Sequence, residues 1–79
     1  MTVTFTPAAL RQWIKLTADV RARIKTKLNI YLETGIGDVK RLKGRAGLRL
    51  RVGDWRVIFY TEGRRIVIAA VGHRREIYN

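Results

Sequence analysis

The second half of this 79-residue chain alternates between apolar and polar side chains, and this limits the folds it can form. Three runs have this period of two: Leu48–Val52, Trp55–Tyr60 and Arg65–Val71. Residue pairs typical of tight turns, Gly53-Asp54 and Glu62-Gly63, separate them. The pattern therefore predicts three strands joined by two hairpin turns, in an antiparallel sheet with one apolar face.

Two-residue turns would fix which residues of neighbouring strands face each other. A turn at Gly53-Asp54 places Arg51 opposite Arg56, and a turn at Glu62-Gly63 places Arg56 opposite Ala69. The apolar face then holds Leu48, Leu50, Val52, Trp55, Val57, Phe59, Ile66, Ile68 and Ala70. The other face holds Arg49, Arg51, Arg56, Ile58, Tyr60, Arg65, Val67 and Ala69.

The predicted pairing of Arg51 with Arg56 is unfavourable, because like charges directly opposite each other destabilise a sheet. The small Ala69 beside Arg56 leaves room for a ligand. We therefore expect an anion to bind between the two guanidiniums, and we expect Arg56→Ala to leave the domain folded. The alternative is a solvated strand face with arginines that have no function.

The first half of the chain carries helix signals. Thr2–Phe5 alternates and predicts a short strand, and Thr6-Pro7 predicts a helix that ends near residue 15. Thr17 and Gly35 are typical start and stop signals for a second helix. Its apolar positions have helical spacing: Val20, Ile24, Leu28, Tyr31 and Leu32.

Composition excludes several classes of protein. Seventeen Lys and Arg against six Asp and Glu give a formal net charge of +11, which favours a polyanionic partner such as nucleic acid. The chain has 47% hydrophobic residues and no cysteine, which argues against disorder, disulfides and thiol chemistry. No apolar run reaches the roughly 18 residues of a membrane span, and no signal peptide pattern is present. We expect one cytoplasmic domain over residues 1–79.

Basic residues also lie outside the predicted sheet. The connection between the second helix and the strands carries Lys40, Arg41, Lys43 and Arg45, and the second helix carries Arg21 and Lys25. We interpret these residues as docking charge for RNA or the ribosome. For the helix, a merely solubilising face is an equal alternative.

Three motifs resemble the RelE/ParE toxin superfamily of bacterial type II toxin–antitoxin systems, and the RelE-like members in particular. Residues 48–60 are similar to its Arg-Leu-Arg-x-Gly-x-Tyr-Arg-x-x-Tyr core, Leu42-Lys43-Gly44 to the preceding Leu-Lys-Gly, and residues 71–78 to the closing Val-Gly-x-Arg-x-x-x-Tyr. The resemblance covers essentially the whole chain. It implies an α+β fold, with an N-terminal strand and a helical hairpin packed on a twisted, mostly antiparallel sheet of about four strands.

The resemblance implies a toxin, with alternative targets. RelE members cut mRNA in the ribosomal A site, whereas ParE members poison DNA gyrase. RelE-like cleavage would be attack of a 2′-hydroxyl on the adjacent phosphate, without metal or other cofactor. A non-enzymatic nucleic-acid-binding module is a third alternative. The expected partners are the ribosome, mRNA and a cognate acidic antitoxin that wraps the toxin.

Carried over by position, the RelE-like site consists of Arg49, Arg51, Arg56, Arg74 and Tyr78. We expect Arg51 and Arg56 to hold the scissile phosphate and Arg49 to line the adjoining backbone. Arg74 would stabilise the leaving oxygen, and Tyr78 would stack on the base. The proton acceptor stays open among His73, Lys43, Tyr78 and Glu76, and a dedicated base is not required.

Overall fold

The computed structural model describes residues 2–77, which form one five-stranded sheet and three helices. The strands occur in the spatial order β1-β5-β4-β3-β2, with β1 parallel to β5 and the other neighbours antiparallel. In chain order the elements are β1 Thr2–Phe5, α1 Pro7–Ile14, α2 Ala18–Thr34, β2 Val39–Arg41, β3 Leu48–Val52, β4 Trp55–Glu62, β5 Arg65–His73 and α3 Arg74–Ile77.

The helix boundaries follow the local signals in the sequence. The hydroxyl of Thr6 accepts a hydrogen bond from the Ala9 backbone N–H, and the hydroxyl of Thr17 accepts one from Val20. Gly35 ends α2 with a left-handed conformation (φ +76°), which glycine adopts without steric cost. The predicted helical hairpin is therefore confirmed.

The α+β prediction is also confirmed, although the sheet has one strand more than the expected four or so. The additional strand is β2, which lies in the stretch predicted to be an irregular connection. Val39 pairs with Leu50 and packs against the core. Residues 39–41 are therefore a strand because they pair with β3. Its short sequence carries no periodicity that would identify it alone.

The core lies between the helical hairpin and one face of the sheet. Phe59, in the central strand β4, is fully buried, and the Tyr31 ring of α2 packs edge-on against it with centroids 6.0 Å apart. The Trp13 ring of α1 packs against the Phe5 ring, with the two ring centroids 5.3 Å apart. The buried cluster consists of Ala9, Ile24, Leu28, Leu50, Val52, Val57, Phe59, Ile66, Ile68 and Val71.

The predicted β3–β4 register is confirmed, with Arg51 opposite Arg56, but the predicted β4–β5 register is wrong. The second turn is formed by Gly63 and Arg64, because Glu62 pairs with Arg65. In both hairpins glycine occupies the first turn position, with φ of +59° at Gly53 and +62° at Gly63. A turn at Glu62-Gly63 would have put glutamate there, and a positive φ is unfavourable for it.

A β-bulge then shifts the register again. Phe59 pairs with Ile68 and Ile58 pairs with Ala70, so Ala69 is the extra residue on β5. Beyond this point every β5 side chain lies on the face opposite to that predicted, since side chains alternate along a strand. Val71 therefore enters the core in place of Ala70, and Gly72 faces Arg56 in place of Ala69.

Side chains of the first helix complete the edge of β5 where β1 ends. The last pair between these strands is Phe5 with Ile68, and beyond it the Thr6 hydroxyl donates to the Ala69 carbonyl at 3.4 Å. The Gln12 Oε1 atom accepts a hydrogen bond of 2.9 Å from the buried Val71 backbone N–H. The helix thus satisfies a strand donor that would otherwise be orphaned.

We predict that Gln12→Ala lowers the free energy of unfolding by about 1–2 kcal/mol, because a buried backbone N–H loses its acceptor. Urea denaturation measures the change. Gln12→Glu keeps an acceptor oxygen at the same position and should retain most of the stability. Equal stability of the alanine variant and the wild type would show that this bond does not hold the strand edge.

Candidate nucleic-acid site

The sheet face away from the helical hairpin carries cations from three adjacent strands. Leu50 and Val57 point into the core, so their strand neighbours point to the opposite side. The register brings Lys40 opposite Arg49 on that side. We call this surface the cationic face, defined by Lys40, Arg49, Arg51 and Arg56.

Arg56 is the buried member of the cationic face, with 7% of its surface exposed. Its Nη1 atom donates to the carbonyl oxygens of Gly53, at 2.7 Å, and Trp55, at 3.0 Å. Its Nε atom is buried and has no hydrogen-bond partner within residues 2–77. The guanidinium therefore holds the β3–β4 turn in place. Its positive charge is fixed below the exposed side chains of the cationic face.

Arg51 is the exposed member of the pair, with 56% of its side chain accessible. Its Nε atom lies 3.7 Å from the carboxylate of Asp38, and its backbone N–H donates to the Asp38 carbonyl. Arg51 and Arg56 thus have separate acceptors in the chain. The pairing therefore does not need an anion between the two guanidiniums, and the binding of an anion there stays a prediction.

The space beside Arg56 is filled by the short C-terminal helix. Gly72 faces Arg56, and a Cβ atom on Gly72 would lie 3.6 Å from both Oε2 of Glu76 and the side chain of Ile77. Helix α3 therefore packs over this part of the cationic face and brings a carboxylate to it. The room expected beside Ala69 does not exist, because the bulge moves that residue away.

Arg74 lies at the turn that Arg56 also contacts. Its backbone N–H donates to the Asp54 carbonyl at 2.8 Å, and its Nε atom lies 3.8 Å from an Asp54 carboxylate oxygen. The side chain is about half exposed. The structure thus brings Arg74 to the end of the cationic face, next to the β3–β4 turn.

His73 lies on the other side of the sheet. It pairs with Trp55, their rings meet edge-on with centroids 5.5 Å apart, and Trp55 packs against the core. Its Nδ1 atom accepts a hydrogen bond from the Arg75 backbone N–H. The structure does not bring His73 together with Arg56. Tyr78, expected to stack on the RNA base, lies outside the described residues.

The predicted docking residues fall into two groups. Lys40 and Lys43 line a pocket of about 380 Å³ that Arg49 also lines. Arg41 borders this pocket and a second one of about 420 Å³, which includes Arg45. Arg21 and Lys25 lie on α2, on the opposite side of the sheet, and Arg21 donates to the Leu16 carbonyl.

Acidic partners of the arginines were the residues that sequence reasoning missed. Asp38 was not singled out, and Asp54 was interpreted only as a turn residue. The Gly53-Asp54 sequence next to an arginine-rich strand is a weak signal for the pair of Asp54 with Arg74. Within residues 2–77, no cluster of three or more His, Asp or Glu side chains is arranged to hold a metal ion. No helix in the same range is long and apolar enough to cross a membrane.

The family was identified by comparison with known proteins. A model described as the ParE toxin of type II toxin-antitoxin system, parDE, matches residues 3–78. The chain belongs to this toxin family. The resemblance to the RelE/ParE superfamily that the motifs indicated is confirmed. Among curated proteins, none matches this ParE-family toxin significantly.

Solved structures have the same fold as this ParE-family toxin. A chain of the RelB–RelE antitoxin–toxin complex from Methanococcus jannaschii is 25% identical, with a TM-score of 0.75 over 95% of this chain and 94% of that one. A chain of the intact Escherichia coli RelBE complex is also 25% identical, with a TM-score of 0.67 over 91% of this chain and 94% of that one. The YoeB dimer from Staphylococcus aureus is 20% identical, with a TM-score of 0.77 over 92% and 95%, and shows the fold alone.

We predict that Arg56→Ala and Arg51→Ala have different effects on stability. Arg56→Ala removes a buried guanidinium and two hydrogen bonds to turn carbonyls, so the free energy of unfolding should fall by about 2–4 kcal/mol. This replaces the expectation that the variant folds normally. Arg51→Ala removes one exposed ion pair and should change stability by less than about 1 kcal/mol. Chemical denaturation of both variants measures the difference, and equal losses would contradict the structural role of Arg56.

Proposed function

We propose that this toxin blocks translation by cutting mRNA in the ribosomal A site as a metal-independent endoribonuclease. The observation that carries the proposal is the cationic face, because its guanidiniums are presented by a rigid sheet. In this reaction a 2′-oxygen attacks the adjacent phosphorus, and the bond from phosphorus to the 5′-oxygen breaks. The transition state is a crowded dianion, which fixed Arg donors stabilise strongly.

The differing exposure of the arginines supports distinct roles. Arg51 and Arg49 contact the scissile phosphate, since the exposed pair of Arg51 with Asp38 is weak enough to be exchanged for a phosphate. Arg56 contributes a buried charge below them and fixes the turn. Arg74, half exposed at the same turn, stabilises the leaving 5′-oxygen.

Proton transfer is assigned to Glu76 in this proposal. The proton of the attacking 2′-hydroxyl passes to its carboxylate, and a proton is returned to the 5′-oxygen. The position of Glu76 beside Gly72, directly across from Arg56, supports this assignment. His73 is not used, because its ring lies against Trp55 on the helix side of the sheet.

The proposal includes a cognate antitoxin, the ribosome and mRNA as partners, in the cytoplasm. The M. jannaschii and E. coli structures are antitoxin–toxin complexes, which supports the presence of an antitoxin here. A net charge of +11 favours an acidic protein that neutralises the toxin. RNA and an acidic antitoxin would then compete for the same guanidiniums.

One observation favours a second candidate function. The family model that matches the chain is that of the ParE toxins, and the resemblance associates those members with DNA gyrase. A gyrase poison would act by binding alone. It would need no proton transfer at Glu76, so the two candidates differ in whether a Glu76 variant loses toxicity.

Inducible expression followed by mapping of RNA 5′ ends tests the proposal. We predict cuts in frame with translated codons for the wild type, and loss of both cuts and toxicity for Arg51→Ala, whose fold should be intact. Arg11→Ala, on the exposed surface of α1, is the control and should stay toxic. Intact mRNA together with a DNA-damage response would reject the nuclease and favour the gyrase poison.

The assignment of Glu76 gives a separate prediction. Glu76→Gln should slow ribosome-dependent cleavage by about 100-fold or more, because a positioned general base contributes on that scale. His73→Gln should cleave at close to the wild-type rate. Single-turnover cleavage on programmed ribosomes measures both rates. Slow cleavage by His73→Gln together with near wild-type cleavage by Glu76→Gln would assign proton transfer to His73 instead.

A further inference from the structure

A second pocket lies at the end of the sheet where β3 begins and β4 ends. It has a volume of about 420 Å³ and lies between Tyr60 and the segment that joins β2 to β3. Its lining combines one aromatic ring with two arginines, Arg41 and Arg45, and with the apolar side chains of Leu42 and Leu48. The cleavage chemistry proposed above uses none of the side chains that line this pocket.

Tyr60 belongs to the same side of the sheet as the cleavage residues. It lies four residues beyond Arg56 on β4, so its side chain points to the cationic face about 13 Å further along the strand. Arg49 pairs with Ile58, between these two positions. A nucleic-acid strand that passes the exposed Arg51 and then Arg49, in the direction of β4, therefore arrives at the Tyr60 ring.

The two pockets at this end of the sheet are adjoining. The pocket of about 380 Å³ is lined by Lys40, Lys43 and Arg49, and it shares Arg41 and Leu42 with the pocket of Tyr60. Neither pocket has an acidic side chain in its lining. The linings of both pockets thus offer a phosphate backbone cationic side chains and no carboxylate.

The wall of the Tyr60 pocket is packed onto the sheet. The Leu42 backbone N–H donates to the Gly47 carbonyl at 3.1 Å, which closes the segment on itself. A Cβ atom on Gly47 would lie 3.2 Å from the Leu42 side chain and 3.3 Å from the Phe59 carbonyl oxygen. Gly47 also has φ +127°, so only glycine suits this close approach. The pocket is therefore formed before any ligand binds.

We propose that this pocket binds one base of single-stranded RNA, stacked on Tyr60, while Arg41 and Arg45 hold the neighbouring phosphates. Unpaired RNA bases stack on aromatic side chains in this way, and arginine pairs with phosphate in a bidentate geometry. The inference rests on the proposed function and deepens it. It names a base-binding position away from the cleaved phosphate, which would give the toxin a preference for RNA context.

Equilibrium binding of short fluorescent single-stranded RNA to the purified toxin tests the pocket, without ribosomes or cleavage. Tyr60→Ala should weaken binding by about 5- to 150-fold, the range for loss of one stacked base. Tyr60→Phe keeps the ring and should bind within about twofold of the wild type. Arg11→Gln removes one charge elsewhere and controls for net charge. Urea denaturation of each variant shows that the fold is retained.

Oligonucleotides with one abasic position identify the base. For the wild type, one abasic position should weaken binding as much as Tyr60→Ala does, and that position should have no further effect in Tyr60→Ala. Such non-additivity is the mark of a direct contact. Equal affinity of Tyr60→Ala and the wild type, or additive losses at every position, would overturn the proposal.

The same variants separate this inference from the proposed function. If the wild type cuts mRNA but Tyr60→Ala retains full RNA affinity and cut-site preference, the pocket is rejected and the nuclease stands. If the wild type does not cut mRNA but shows the coupled loss at one base, the pocket stands and the nuclease is rejected.

Discussion

The turn between β3 and β4 holds the cationic end of the sheet together. The Gly53 carbonyl accepts a hydrogen bond from Arg56, and Asp54 provides both a backbone acceptor and a carboxylate for Arg74. A Cβ atom on Gly53 would lie 2.9 Å from Nη2 of Arg23, so that guanidinium also packs on the turn. Two residues thus contact three guanidiniums, and the turn that they form sets the register of β3 against β4.

Burial separates Arg56, which stabilises the fold, from Arg51, whose side chain reaches solvent. A buried guanidinium needs hydrogen-bond acceptors, and Nη1 of Arg56 donates to two backbone carbonyls, whereas its Nε atom has no partner within residues 2–77. Arg51 lies directly opposite in the register but reaches solvent, with Asp38 as an exposed partner. The sequence pattern does not distinguish the two residues. In the structure Arg56 is buried and supports the β3–β4 turn, whereas Arg51 is exposed to solvent.

Local signals were sufficient for the helices and for one hairpin. Caps at Thr6 and Thr17 and the glycine at position 53 act over three or four residues, so the sequence alone identifies them. The second hairpin was misplaced because its glycine fits either position of a two-residue turn on pattern alone. Strand β2 was missed because three residues cannot show a period, and only pairing with β3 makes them a strand.

The bulge explains why the candidate site was only partly predicted. Without it, side-chain alternation would place His73 on the cationic face with Arg56. The extra residue, Ala69, reverses the alternation, so Gly72 takes that place and His73 turns to Trp55. The bulge coincides with tertiary hydrogen bonds that join the side chains of Thr6 and Gln12 to this part of β5, which no strand pattern records. Arg49, Arg51 and Arg56 lie on β3 and β4, whose alternation has no extra residue, so the sequence assigned them to the correct face.

In the proposed function, the pair of Arg51 with Asp38 would link substrate binding to inhibition. At 3.7 Å and with both side chains about half exposed, the pair is screened by solvent and contributes little to stability. A phosphate can therefore displace Asp38 at small cost, and so can a carboxylate from an acidic antitoxin. If both anions bind this guanidinium, as we propose, neutralisation and RNA binding exclude each other without any change in the fold of the sheet.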